Sequence, residues 1–376
     1  MRFLVTVLAL FALLAPQAAQ AKSGHVETFA KRDALTHGIA GDERYVFVTE
    51  PGIGVATAGA RVVALDRATG REVAALPAPE GGFKLPFTLR VPRTGHLVVL
   101  DSGGFPPVGP PVVYDYGYST KRGALKAKLT RTTSFAGLPL QFAEDVDVLP
   151  NGEYVVSESI LGGLWLIGRD GKIRPGLVPD DPAKPLNGLG PCFDIPGAMR
   201  TVGDLQFAAP GGFLPGAGSL AVHGQDLYIS STCLGGIQRL PIRVLLDAGK
   251  PAAERAMRIT AVTKKAGGDL ESLKGITFNR WDPSDPWIYS GDPFHLKLIR
   301  VNSRTGKRQD VSTDARQFNF TVGATFLPPT RHHGKNPLVT TSDQEYRWAP
   351  TNAALNGLDQ FQLPFIMAEY WPKGRG

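Results

Sequence analysis

Along this chain the apolar residues fall in short runs of strand length, alternating or nearly continuous, without a sustained helical period. Six units repeat one grammar: an apolar strand, a turn, a second strand and an acidic or hydroxyl residue at its end. They read HGIAGDERYVFVTE from His37, FTLRVPRTGHLVVLDS from Phe87, EDVDVLPNGEYVVSES from Glu144, GSLAVHGQDLYISST from Gly218, KGITFNRWDPSDPWIYSGD from Lys274 and VGATFLPPTRHHGKNPLVTTSD from Val322. Their starts lie 48 to 74 residues apart. Four units add a third strand, ARVVALDRATGR, GGLWLIGRDGK, GGIQRLPI and LKLIRVNSRTGK, in which apolar and polar positions alternate as in a half-buried antiparallel strand. A repeat of this length built from short strands predicts an all-β, six-bladed β-propeller. The aromatic tail with Phe361, Phe365, Tyr370 and Trp371 is expected to supply an outer strand that closes the ring.

Antiparallel counting then places the polar ends. In a four-stranded blade the first strand lines the central channel and the second returns to the face where the first began. One rim therefore collects His37, Phe87, Glu144 with Asp145, Gly218, Lys274 and Val322 from strand starts. From strand ends it collects Glu50, Asp101, Glu158, Thr232, Asp292 and Asp343. Carboxylates crowded around one pore repel unless something positive joins them. A Ca²⁺ ion, Lys274, His37 or a cationic ligand would serve.

The remaining features bound this picture. The first 21 residues carry Arg2, an apolar run and Ala19-Gln20-Ala21, the pattern of a cleaved secretory signal too short to span a bilayer stably. The mature chain is expected to begin near Lys22 and to be secreted or periplasmic, with residues 22–376 forming one domain and no stable membrane insertion. In that compartment Cys192 and Cys233, the 2 cysteines of the chain, are expected to pair, the alternative being buried thiols. The net charge of +7 is spread along the chain, which argues against a nucleic-acid partner. A propeller closes on itself, so a monomer is expected. Residues 179–217, rich in Gly and Pro, predict a long lid insertion between blades 3 and 4 on the same face as the polar rim. Asn187, Asp194 and Asp204 in it, with Asp343, Arg347 and Trp348 past the last strand end, are candidate contacts for a small-molecule substrate or ligand. His332-His333 sits in a lengthened turn on the opposite face, where a solvated loop is the expectation. No Gly-x-Ser-x-Gly, Walker or His-Glu-x-x-His motif occurs.

The blade pattern, with the phrases VLPNGEYVVSES and LAVHGQDLYISST, resembles the gluconolactonase and senescence-marker-protein family, with strictosidine-synthase-like and paraoxonase-like relatives. The resemblance implies an exported lactone or ester hydrolase holding Ca²⁺ or another divalent cation in the channel. The family's ligands would fall at His37, Glu144 or Asp145, Gly218 and Lys274, where only Glu144 and Asp145 suit a cation. Glu50, Asp101 and Asp292 would complete the set by reaching inward. The strictosidine-synthase branch implies the alternative, a metal-independent binding or cyclising propeller with Glu144 as general base. Glu144, Asp145, His37 and Lys274 are the candidate catalytic residues.

Overall fold

The structure is a computed structural model that describes residues 24–54, 59–193, 198–233, 235–263, 272–329 and 336–372. The leader-like segment with Lys22, Asp194 and the His332-His333 pair lie outside the described residues.

Six four-stranded antiparallel sheets follow one another around a ring. Blade 1 runs from Ile39–Gly41 to Glu72–Ala75, blade 2 from Pro86–Arg93 to Ala124–Ser134 and blade 3 from Ala143–Val148 to Ile173–Leu177. Blade 4 runs from Ala217–His223 to Thr260–Ala261 and blade 5 from Lys274–Phe278 to Arg308–Ser312. In blade 6 the inner strands are Thr321–Phe326 and Leu338–Ser342, and the third is Phe365–Trp371. The outermost strand of this blade comes from the other end of the chain: His25–Arg32 pairs antiparallel with Phe365–Trp371, from His25 opposite Trp371 to Arg32 opposite Phe365. The aromatic tail is therefore the third strand of the closing blade, and the N-terminal strand covers its edge.

Packing explains why the second strands read as nearly continuous apolar runs. Successive side chains point to opposite faces of a strand, and each blade face is covered by a neighbouring blade. In Tyr45–Glu50, Tyr45 and Phe47 pack toward blade 2 with Leu89, Val99 and Tyr116, whereas Val46 and Val48 pack toward blade 6 with Leu327 and Met367. A separate apolar cluster fills each of the junctions 1–2, 2–3, 3–4, 4–5, 5–6 and 6–1. Each fully buried side chain of the size of Phe47 or Phe135 contributes about 1.5–3 kcal/mol by leaving water.

The closing blade carries a titratable fault. Glu369 stands directly opposite Glu27 in the register of the N-terminal strand, and like charges so placed destabilise a strand pair. Burial and Glu27 push its carboxyl up to about 7, with Arg67 opposing. A carboxyl raised in the folded state contributes stability that is fully present below its unfolded value of about 4.5 and lost as pH rises through about 7. The melting temperature should therefore fall between pH 5.5 and 8.5, and fall less in Glu369→Gln. Thermal melts of both proteins at the two pH values test this; equal drops would show that Glu369 does not titrate in this window.

Between blades 3 and 4 the insertion builds two short antiparallel pairs, Cys192–Phe193 with Phe213–Leu214 and Arg200–Val202 with Leu205–Phe207. The Cys192–Cys233 disulfide, with Cα atoms 5.4 Å apart, ties it to the residue following the second strand of blade 4 and its terminal Thr232. Val202, Phe207 and Leu214 pack against Leu296, Phe320, Val322 and Tyr346 of blades 5 and 6 and the segment beyond. Asn352 locks the same junction, accepting from Ala208 N at 3.0 Å and donating to the carbonyls of Gln206 and Tyr346.

Candidate functional site

At the rim where inner strands begin, a cavity of about 240 Å³ opens over the channel. The first residues of the inner strands and the ends of the second strands do meet there. Glu144 from blade 3, Lys274 from blade 5, Thr232 after the second strand of blade 4 and Asp343 after that of blade 6 all line it, joined by Ser159 and Glu345. The walls are apolar. On one side Trp348, Phe105, Phe142 and Phe87 follow one another at centroid distances of 5.4, 6.1 and 5.2 Å, and Phe87 stacks on His37 at 3.6 Å. On the other side Phe207, Phe294 and Phe320 form a second aromatic run at 5.1 and 5.5 Å.

Glu144 and Lys274 border both this cavity and a narrower chamber beneath it, about 20 Å³, lined also by His37, Thr88, Arg90, Asp145 and Ser219. A polar space of that size accommodates a water molecule, and the Thr88 hydroxyl has no protein partner there. Gly218 keeps the place beside Glu144 open: a Cβ at that position would lie 2.9 Å from the Glu144 carboxylate.

The charges at the floor are strongly coupled. Burial pushes the Glu144 carboxyl up to about 7, opposed chiefly by Lys274 and reinforced by Glu345. Burial works against the Lys274 ammonium, but Glu345, Glu144 and Asp343 outweigh it and hold it charged. Its Nζ lies 2.9 Å from Glu345 Oε2. Asp343 is raised well above the usual carboxylate range by burial and by Glu345. His37 is held down to about 3 by burial and by Lys274, so it is neutral; its Nδ1–H donates to the Phe87 carbonyl at 2.9 Å. Its Nε2 faces Asp343 Oδ2 at 3.8 Å. A neutral imidazole with so depressed a pKa is a poor proton acceptor. The Glu144 carboxyl, raised to about 7, changes charge near neutral pH.

The expected cation ligands do not assemble. Glu50 is bound by Arg32 at 2.6 Å and Arg61 at 2.5 Å. Asp101 accepts from the backbone N–H groups of Lys84, Leu85 and Gly103, the turn-bonding role open to any strand-end Asp. Asp292 is held by His295 at 2.8 Å and by Arg308. None of the three lines the cavity. Asp145 turns into the lower chamber, where Arg90 binds it at 2.8 Å and Leu220 N donates to it at 2.7 Å. Both acids border the lower chamber, but Arg90 and the Leu220 amide claim Asp145, while the strand register breaks between Ala143 and Asp145 and leaves Glu144 outside it. Ca²⁺ takes six to eight oxygen ligands, whereas here a charged ammonium lies among the three acidic side chains of the floor. Among the described residues no group of His, Cys, Asp or Glu converges to hold a metal ion. The donor set does not fit a resident divalent cation.

Of the candidate substrate contacts, Asp343 and Trp348 line the cavity. Asn187 is exposed on the insertion. Arg347 is buried and binds Asp204 and the Tyr346 hydroxyl, so these two join the insertion to the segment after blade 6. Glu345, the partner of Lys274, was not anticipated; it opens a 3-10 turn after Gln344, whose φ of 55° is left-handed. Phe87 and Trp348 were expected at this face, but the continuous aromatic walls were not anticipated, because Phe105, Phe142, Phe207, Phe294 and Phe320 join them from connections between strands and from the insertion.

No family model matches the chain, and no curated protein matches it. Solved structures do. The chain is similar to regucalcin, described as a calcium-binding protein, from Agrobacterium tumefaciens str. C58, at 15% identity over 94% of this chain and 95% of that one, with a TM-score of 0.54. It is also similar to a gluconolactonase from Xanthomonas campestris, at 15% identity over 93% and 90%, TM-score 0.53. A luciferin-regenerating enzyme matches at 10% identity over 94% and 96%, TM-score 0.54. The likeness is one of fold. Its structural neighbours are gluconolactonase- and regucalcin-like six-bladed propellers.

Proposed function

We propose that this protein is a lactone or ester hydrolase that uses its own carboxylate and ammonium, although one neighbour, regucalcin, is named as a calcium-binding protein. The observation that carries the reading is a buried Glu144 titrating near 7 beside a charged Lys274, at the floor of a cavity large enough for a small molecule. The name of the gluconolactonase neighbour supplies the reaction class.

A general base works best with a pKa near the operating pH. With the ester carbonyl above the floor, the Glu144 carboxylate takes a proton from water as the water oxygen bonds to the carbonyl carbon. Water reaches it from the chamber side. Negative charge then develops on the carbonyl oxygen, and the Lys274 ammonium stabilises it in a site shielded from solvent. On collapse the C–O bond to the leaving alkoxide breaks and Glu144 returns the proton to it. Glu345 holds Lys274 charged and in place. His37, neutral and bonded to the Phe87 carbonyl, packs the floor beneath Phe87 and does not carry the proton.

The leader-like pattern of residues 1–21 supports a secreted or periplasmic protein, and a ring closed by its own termini supports a monomer that meets a small molecule. The test is turnover of a panel of lactones and aryl esters by the purified chain with and without excess EDTA. Turnover that survives EDTA, rising with pH through about 7, is the expected result. Activity that is lost with EDTA and restored by Ca²⁺ would return the reaction to a metal, and no turnover of any substrate would leave a binding or cyclising propeller.

A further inference from the structure

We infer that the substrate is an uncharged, largely apolar ring compound, and that sugar lactones are excluded by the same site; this rests on the hydrolase reading above. The argument starts from the distribution of polar atoms in the cavity. Its charged side chains, Glu144, Lys274, Asp343 and Glu345, gather at the floor with Ser159, which bonds Glu144; the other two hydroxyls are engaged, Thr232 with Ser272 at 3.0 Å and Thr351 with the backbone carbonyls of Glu345 and Trp348. Around them stand two aromatic runs, Trp348–Phe105–Phe142–Phe87 and Phe207–Phe294–Phe320. The mouth continues this character, since Phe105 is 42% exposed where it meets Trp348.

A polyhydroxylated ring in such a site would surrender water at each hydroxyl and find partners for the few that reach the floor. Sites that select hydroxylated substrates supply a partner for each hydroxyl, and those built without partners select for the apolar body. Aromatic walls favour a flat ring, which offset-stacked and edge-on contacts can hold at several positions. Size agrees. A dry cavity of about 150 Å³ binds benzene, so about 240 Å³ suits a body of roughly two fused rings. The charge of the floor agrees as well. Lys274 and Glu345 pair at 2.9 Å and offset each other, and burial with Glu345 raises the Asp343 carboxyl and disfavours its charged form, so the floor presents little net charge. A neutral carbonyl at the floor satisfies the ammonium, whereas a second cation would compete with it.

Binding and turnover separate the two levels of this inference. The probe is 1-tetralone, which carries two fused rings and a carbonyl but no ester bond; its binding to the full chain is followed by titration calorimetry. Turnover is measured with 3,4-dihydrocoumarin, a benzo-fused lactone, against glucono-1,5-lactone. We expect 1-tetralone to bind, and Phe142→Ser to weaken it about tenfold or more. We expect kcat/KM for the benzo-fused lactone to exceed that for the sugar lactone by about 100-fold or more. If 1-tetralone binds and neither lactone turns over, the apolar ligand class stands and the hydrolase reading falls. If the sugar lactone is the better substrate, the hydrolase reading stands and the apolar class falls. Absence of 1-tetralone binding, or binding unchanged in both Phe142→Ser and Phe320→Ser with their melting temperatures retained, overturns the inference.

Discussion

Glu144→Gln is expected to lose turnover of any lactone or ester by about 10²–10⁴-fold, the range for removal of a general base, while the protein stays folded. The substitution keeps the size and one acceptor of the side chain, so Gly218 still clears it. Its stability signature has a definite sign. The folded carboxyl is raised to about 7 by burial, so its contribution to stability is present below the unfolded value and lost as pH rises through about 7. Above that pH the wild type carries a buried negative charge that the amide removes. Glu144→Gln should therefore melt at an equal or higher temperature than wild type at pH 8.5 while being inactive. Thermal melts and initial rates on one preparation decide the matter. Loss of activity with a collapsed melting temperature would assign Glu144 to structure, and retained activity would mean that another group moves the proton.

Lys274→Met is the second large effect. Removal of one preorganised oxyanion donor costs about 10²–10³-fold in kcat, and that is the loss expected here. The pH profile supplies the evidence that a merely structural lysine would not. Lys274 lowers the pKa of Glu144, so without the ammonium the carboxyl must titrate above 7 and the rise of rate with pH must move to more alkaline values. Because Lys274→Met leaves Glu345 without its 2.9 Å partner, the double variant Lys274→Met/Glu345→Gln keeps the site neutral and guards against a folding defect. The double variant should fold and remain slow. A pH profile identical to wild type in Lys274→Met would remove Lys274 from the reaction; in the double variant the loss of Glu345, which raises Glu144, offsets part of the shift.

These two residues also mark how far the sequence carried. Glu144 and Lys274 stand at the first positions of their units, and a propeller grammar with strands of period two brings those positions to one rim without any tertiary information. Asp343 and Thr232, at the ends of second strands, arrive there by the same counting. The counting failed for Glu50, Asp101 and Asp292, which occupy corresponding strand ends. Each is claimed by other groups: one arginine on the adjacent strand and one at the end of the N-terminal strand, three turn amides, a histidine and an arginine. A carboxylate at a strand end has one address in the repeat but many possible partners, and local hydrogen bonds compete with the channel for it.

Asp145 shows the limit most sharply. Beside Glu144 it looked like half of an acidic pair, yet it is held by Arg90, an arginine of blade 2 that crosses to the carbonyl of Leu220 in blade 4. No local pattern announces such a strap.

By itself the sequence determined the number of blades, the strands in most of them and the face on which their polar ends gather, because these follow from short-range alternation and a repeat. The pairing of Cys192 with Cys233 followed from their being the two cysteines of a chain with a leader-like start. The tertiary structure alone decided which acids face the cavity, that an ammonium held by Glu345 stands among them, and that the walls are aromatic. Those properties depend on side chains brought together from separate blades, the insertion and the segment beyond Asp343, and on burial that shifts their charge. The N-terminal strand, which closes the sixth blade, belongs to the same class, since its partner lies at the far end of the chain.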